Sequence, residues 1–311
     1  MVLLAVALKI PVFLNPHPYE FIQTAPLANT VFSYLRSLPN YLFLSYIIAL
    51  LFLIIQAVSI NYIVVQHGIL YKDTYLPALF FILLNSLYPQ QAELSPQLIS
   101  NTFIILMFQR LCFLYESPNP LLIVLDAGMY LGTALLFNYD VAIFLPYILI
   151  SVIVFTSFNF RYLILSIIGI CIPLYFAGIV FYMNNQWTAV IEFTQHSFQR
   201  TLLKSVIGGY DQFLPLIVIL PIVFISSLNL QLNFFRNKVK TRRILQSVGL
   251  MFVFGALGLL IENTHFIYAL FYLSVPLCIV IAYYFISPQK AWFKEAIFFC
   301  LIAFCVYYNI R

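Results

Sequence analysis

The sequence predicts an all-α fold, a polytopic bundle of about eleven membrane-spanning helices, and three observations predict it. Hydrophobic residues make up 63% of the 311 residues and charged residues only 8%, with a mean hydropathy of +0.99. Soluble domains carry about 25% charged residues, so lipid must be the main solvent of this chain. Second, the apolar residues come in runs approaching the roughly 17–25 residues that a bilayer requires, punctuated by Pro, Asn and clustered charges. Third, Lys and Arg fall unevenly on alternate connections, as the positive-inside rule requires of a multi-pass protein.

In chain order, the first span covers approximately residues 1–14. It is short, so either it crosses part of the bilayer or native residues precede it. It has no basic n-region and no small-residue cleavage site, which marks a retained helix and not a signal peptide. Lys9 lies inside it and can snorkel. Tyr41–Val65 is the second span. The third, Thr74–Tyr88, is short again, with Pro77 in its first turn, where a missing N–H costs little. The fourth, Ser95–Tyr115, opens on a Ser95 cap followed by Pro96. Pro120–Phe137 and Val141–Ser157 are the fifth and sixth, Tyr162–Met183 the seventh and Phe213–Leu230 the eighth. Ile244–Ile261, Phe266–Ile286 and Phe293–Tyr308 complete the set. All belong to one integral membrane domain, residues 1–311, with outer loops at 15–40 and 184–211 and a basic cytoplasmic loop at 231–243.

Charge tests the parse. With the N-terminus in the cytoplasm, inner connections collect Lys72, Arg110, Arg161, the Arg236–Arg243 cluster, Lys290 and Lys294. Outer ones hold Arg36, Arg200, Lys204 and Arg311, a bias of about ten to four that one miscounted central span would erase. The net charge of +5 is therefore a topology signal. No aromatic-interleaved basic surface forms, so nucleic acid is not an expected partner. The five cysteines lie inside apolar segments without zinc-ligand spacing. No cofactor is expected, and a divalent metal is left open.

Acids segregate the other way. Glu20, Glu93, Asp140, Glu192, Asp211 and Glu262 fall on the outer side with His17, His196 and His265, while the inner side has Asp73, Glu116, Glu295 and His67. Acids contribute little to orientation, so topology does not require this pattern, and the outer face is where polar chemistry belongs. In the first outer loop, Leu27, Val31, Phe32 and Leu35 recur at helical spacing and predict a short interfacial helix. In the second, Trp187, Ile191, Thr194, Phe198 and Leu202 form one stripe, while Glu192, His196, Arg200 and Lys204 recur every four residues on another. That pattern predicts an amphipathic helix on the membrane surface, ended by Gly208-Gly209. Inside the membrane the anomaly is Asp126, in the body of the fifth span. A carboxylate at the bilayer middle costs about 2.5 kcal/mol or more, so it is expected to face protein as structural polar glue. Gly128 and Gly132 make a small-xxx-small pair that permits close helix approach.

Two resemblances add to this reading. The run Pro89–Asn101 (PQQAELSPQLISN), the later Phe144-Leu145-Pro146, and Arg161 with Gly169 resemble a family of uncharacterised multi-pass membrane proteins from Bacteroidota. That likeness covers most of the chain and implies a bacterial inner (cytoplasmic) membrane but no activity; the charge bias puts the C-terminus on the periplasmic side. More distantly, Lys9-Ile10-Pro11 followed by Glu20 in the first outer loop resembles the C-type (GT-C) glycosyltransferases, as does the short third span before Ser95-Pro96. That resemblance implies a GT-C-like bundle using polyprenyl-phosphate-linked sugar at the outer face. It departs from the family pattern in carrying Glu where an Asp is usual and in lacking a large soluble C-terminal domain.

Sugar transfer from a lipid phosphate needs a base for the acceptor hydroxyl and cations for the leaving phosphate, both at the lipid–water boundary. Glu20 fits the base, with Glu93 or His196 assisting. Arg200 and Lys204, beside Glu192, fit the phosphate clamp. The alternative is a non-catalytic scaffold or assembly subunit of an envelope complex, docking membrane lipids and other envelope membrane proteins. A transporter is a third class, less favoured without an internal repeat or paired broken helices.

Overall fold

A computed structural model describes residues 4–9, 25–115, 117–156, 158–185, 214–261, 266–287 and 291–310, and every regular element among them is helical. Residues 4–9 are helical. Then follow α1 (Pro26–Arg36), α2 (Tyr41–Gln66), α3 (Leu76–Leu84), α4 (Pro96–Phe113), α5 (Pro120–Phe137), α6 (Phe144–Thr156), α7 (Phe160–Met183), α8 (Leu214–Asn233), α9 (Val239–Ile261), α10 (Phe266–Ile286) and α11 (Ala291–Ile310). Short 3-10 turns at Pro89–Ala92, Tyr139–Ile143 and Phe234–Arg236 join them. Among the described residues, seven stretches are long and apolar enough to cross a bilayer: Tyr41–Gln66, Pro120–Phe137, Tyr139–Thr156, Phe160–Met183, Ile219–Arg236, Val239–Leu259 and Ile267–Ile286.

Local chemistry sets the helix starts. Pro occupies the first turn of α1, α3, α4 and α5, where its missing N–H breaks no intrahelical bond. Ser95 Oγ accepts from Leu98 N at 3.2 Å, and Asn159 Oδ1 accepts from Arg161 N at 3.0 Å. At the other pole, Arg243 donates from Nη1 to the carbonyls of Val154 and Phe155 at 2.9 and 3.0 Å, satisfying the C-terminal carbonyls of α6 with a cation, the sign its dipole prefers.

Burial ranks the helices. Of the spanning window in α10, 89% is buried, against 22% for α7, so α10 is the central staff and α7 a lipid-facing wall. Around α10 pack α9, α8, α3 and α4, while α5 joins α4 to α7. The interfacial helix expected in the first outer loop is α1, but its buried face, Pro26, Ala28 and Phe32, lies on protein. Phe32 clusters with Ala49, Leu98, Tyr268 and Phe271, so α1 covers one end of the bundle.

Candidate functional site

The element that departs from a plain helix bundle is the connection from α3 to α4. With 9 residues, α3 rises only about 13 Å of a core roughly 30 Å thick. The chain then runs irregularly through residues 85–95, and irregular backbone at membrane depth survives only when protein covers its polar groups. Here it is covered: Asn85, Ser86, Gln91, Glu93, Ser95 and Gln97 are all buried.

Three other parts of the chain hold this connection. Lys9 donates from Nζ to the Gln91 carbonyl at 3.0 Å, tying residues 4–9 to it. Gln91 Nε2 donates to the Ile267 carbonyl at 2.8 Å, in the first turn of α10. Leu94 N donates to Ser45 Oγ of α2 at 3.1 Å. Asn85 Nδ2 donates to the Phe81 carbonyl at 2.9 Å and to Ser274 Oγ at 3.1 Å. Below it, Gln56 Nε2 donates to the Leu98 carbonyl and Thr102 Oγ1, both at 2.7 Å, while its Oε1 accepts from Asn101 Nδ2 at 3.1 Å. Asn138 Nδ2 donates to the Tyr272 hydroxyl at 2.8 Å, extending the polar layer to α5 and α10.

Donors and acceptors do not balance among the described residues. The carbonyl oxygens of the Asn85, Asn101, Gln90 and Gln91 side chains are buried without a hydrogen-bond partner there. Amide oxygens held away from water in this way are poised to accept from a polar ligand or ordered water. The layer is therefore a preorganised polar floor at the end of the bundle that the charge pattern assigns to the outer side.

Several candidate residues of the sequence meet this floor unequally. Glu93 is part of it and only 5% exposed, held in the wall and not on the solvated loop that its polar neighbours suggest. Lys9, expected to snorkel, is instead turned into the bundle and 3% exposed. Glu20, Glu192, His196, Arg200 and Lys204 lie outside the described residues. Asp126 is near the opposite pole. It is six residues into α5, about 9 Å from the start of a helix about 27 Å long. Its Oδ2 lies 3.5 Å from Arg110 Nε, with the Asp126 side chain 39% exposed. The Arg110 cation beside it and its partial exposure offset part of the cost assigned to it from the sequence. Among the described residues no group of three His, Cys, Asp or Glu could hold a metal.

A second polar layer occupies that pole. Tyr71, Asn237 and Tyr283 meet there: the Tyr71 hydroxyl donates to Asn237 Oδ1 at 2.9 Å and lies 2.9 Å from the Tyr283 hydroxyl. Asn229 Nδ2 donates to Ser287 Oγ at 2.8 Å nearby. Sequence reading singled out none of these, because Asn, Ser and Tyr carry no charge signal. Their meeting joins the α2–α3 and α8–α9 connections to the ends of α8 and α10 and exists only in the fold.

The model of a family described as "Family of unknown function (DUF6427)" matches residues 27–311. No curated protein matches the chain. Among solved structures it is similar to the archaeal oligosaccharyltransferase AglB from Archaeoglobus fulgidus, in complex with an inhibitory peptide and a dolichol-phosphate. The TM-score is 0.50 at 12% identity, over 99% of this chain and 50% of the other. At that identity the likeness shows the fold, which is of the GT-C type. This chain spans half the length of the oligosaccharyltransferase chain.

Proposed function

We propose, for a chain that belongs to the DUF6427 family and has a GT-C-type fold, that it is a membrane transferase acting on a polyprenyl-phosphate-linked sugar. The reaction lies at the bilayer face that carries residues 85–97. The observation that supports this most is the fold likeness over 99% of the chain to an enzyme whose structure holds a dolichol-phosphate. The buried amide oxygens at one end of the bundle support it from this chain's own residues, since they offer acceptors to a polar group arriving from lipid.

In this reading an acceptor hydroxyl attacks the anomeric carbon and the bond from that carbon to the phosphate oxygen breaks. The polyprenyl phosphate leaves with the bonding electrons, and Glu20 takes the hydroxyl proton. Arg200 and Lys204 neutralise the leaving phosphate, with Glu192 and His196 beside them and Glu93 behind, in the wall. Lipids are partners as donor and solvent.

The test is donor turnover by protein reconstituted in liposomes, read as release of polyprenyl phosphate from a labelled polyprenyl-phosphate sugar. Glu20→Gln should lower that release by about 10²–10⁴ while the protein folds normally. Failure of the native protein to bind or turn over any such donor, with Glu20→Gln silent in cells, would put the scaffold reading in its place.

A further inference from the structure

At the pole opposite the polar floor, an open cleft of about 420 Å³ lies between the ends of α2, α4 and α9. His67, which follows α2, Arg110 in the last turn of α4, and Lys240 in the first turn of α9 bring polar groups to it, and Phe113, Pro118 and Ile123 supply apolar walls.

Each polar group is short of partners. Both ring nitrogens of His67 are buried without a hydrogen bond among the described residues, its ring held edge-on to Phe113 at 4.7 Å, and the residue is 7% exposed. Lys240 makes no hydrogen bond or ion pair with the described residues. Arg110 has Asp126 at 3.5 Å, a contact through Nε. Arg243, by contrast, is fully committed, capping α6 and lying 5.4 Å over the Tyr115 ring.

The helix supplies a second, independent argument. The first turn of α9 carries Lys240 and Arg242 and no acid. A helix N-terminus is itself electropositive, so cations there are locally unfavourable and an anion reverses the balance. Cations at this helix start, beside a buried imidazole with no hydrogen-bond partner among the described residues, make the cleft favourable to an anion. The apolar walls and the position at the ends of spanning helices place that ligand at headgroup depth.

We infer that this cleft binds the phosphate of an anionic phospholipid headgroup, with Lys240 and Arg110 as its cations and His67 as a hydrogen-bonding partner. The inference stands apart from the transferase reading, because cleft and polar floor lie at opposite poles of the bundle. A phosphate group could also come from solution, and the experiment separates the two sources.

Native mass spectrometry of the full chain from nanodiscs would count retained phosphatidylglycerol against phosphatidylcholine, with inorganic phosphate as competitor. Expected is selective retention of phosphatidylglycerol, weakened about tenfold by Lys240→Gln and by Arg110→Gln. The control Lys238→Gln removes the same charge from an exposed position off the cleft and should change retention less than about twofold. If Arg110→Gln lowers folded yield by unpairing Asp126, the double variant Arg110→Gln/Asp126→Asn restores a neutral pair, and Lys240→Gln carries the test. Equal losses in Lys238→Gln would overturn the inference in favour of diffuse surface attraction. Binding of inorganic phosphate as tight as that of the lipid would overturn the lipid assignment.

Discussion

Gly128 of α5 and Gly169 of α7 face each other so closely that a methyl group on Gly128 would lie 3.0 Å from the Gly169 Cα and 2.5 Å from the Ser166 carbonyl oxygen. A methyl on Gly169 would in turn meet the Leu125 carbonyl at 2.5 Å. Lipid offers no hydrophobic drive for two apolar helices to associate, so backbone-to-backbone approach of this kind is what holds the lipid-facing wall α7 onto the bundle.

Gly128→Ala is therefore expected to destabilise, by about 1–3 kcal/mol, because the obstacle is backbone and cannot rotate away. Gly249→Ala, in the same kind of helix but with nothing within 4 Å, should be neutral or slightly stabilising. Thermal unfolding in detergent checks both. A Gly128→Ala protein as stable as native would mean that α5 and α7 do not pack as described.

Arg110 and Asp126 lie 3.5 Å apart at side-chain exposures of 41% and 39%, a geometry in which an ion pair stabilises by less than about 1 kcal/mol. Asp126→Asn should leave the melting temperature within a few degrees of native, and Arg110→Gln should unfold the protein no more readily than that. A large loss in Asp126→Asn would show that the carboxylate does more than neutralise Arg110.

These two sites mark where sequence reading succeeds and where it stops. Gly128 and Gly132 were legible as a small-residue pair because four-residue spacing puts both on one helix face. The partners they meet, Gly169 for Gly128 and Ile170 for Gly132, on a helix reached after another intervening span, were not. Helix positions were legible because apolar runs end at Pro, Asn and charge, and Ser95-Pro96 starts α4 as its chemistry dictates. The burial of residues 85–97 was hidden for the opposite reason: a run of Gln, Glu, Ser and Asn has the composition of a solvated loop. Contacts far apart in sequence, such as Lys9 with Gln91 and Gln91 with Ile267, turn it into an interior. The His67 cleft was illegible in the same way, since its groups come from the ends of three separate helices.

His67 yields a pH prediction. Burial, and secondarily the charge of Lys240, lowers its pKa to about 4 from an ordinary value near 6.5. The folded protein thus holds the imidazole neutral while the unfolded chain takes up a proton. Stability falls as pH drops from about 6.5 towards 4, and the loss is complete below that window. The effect is at most about 3 kcal/mol, and less because the cleft opens to solvent and Arg110 and Lys240 face the same space. Unfolding temperatures of native protein and His67→Gln, measured between pH 7 and 4.5, should converge as pH falls. Parallel curves would mean that His67 takes up its proton as readily in the fold as in the unfolded chain.

Both proposals depend on which pole faces the cytoplasm, and labelling can decide it. The charge pattern puts the polar floor outside and the His67 cleft inside. Asn185, exposed just beyond α7, and Lys238, exposed at the start of α9, report the two poles. Asn237 is a poor reporter: it is 8% exposed and held by Tyr71, so a probe there would fail for lack of access. Cys171 and Cys300 are exposed on the helix surface and must first be replaced by Ala to remove background. In intact cells a membrane-impermeant maleimide should then modify Asn185→Cys and leave Lys238→Cys untouched until the membrane is opened. The reverse pattern would place the polar floor in the cytoplasm, where an outer-face sugar donor could not reach it. It would also move the basic cleft to the outer leaflet, away from the cytoplasmic leaflet whose anionic lipids its cations match.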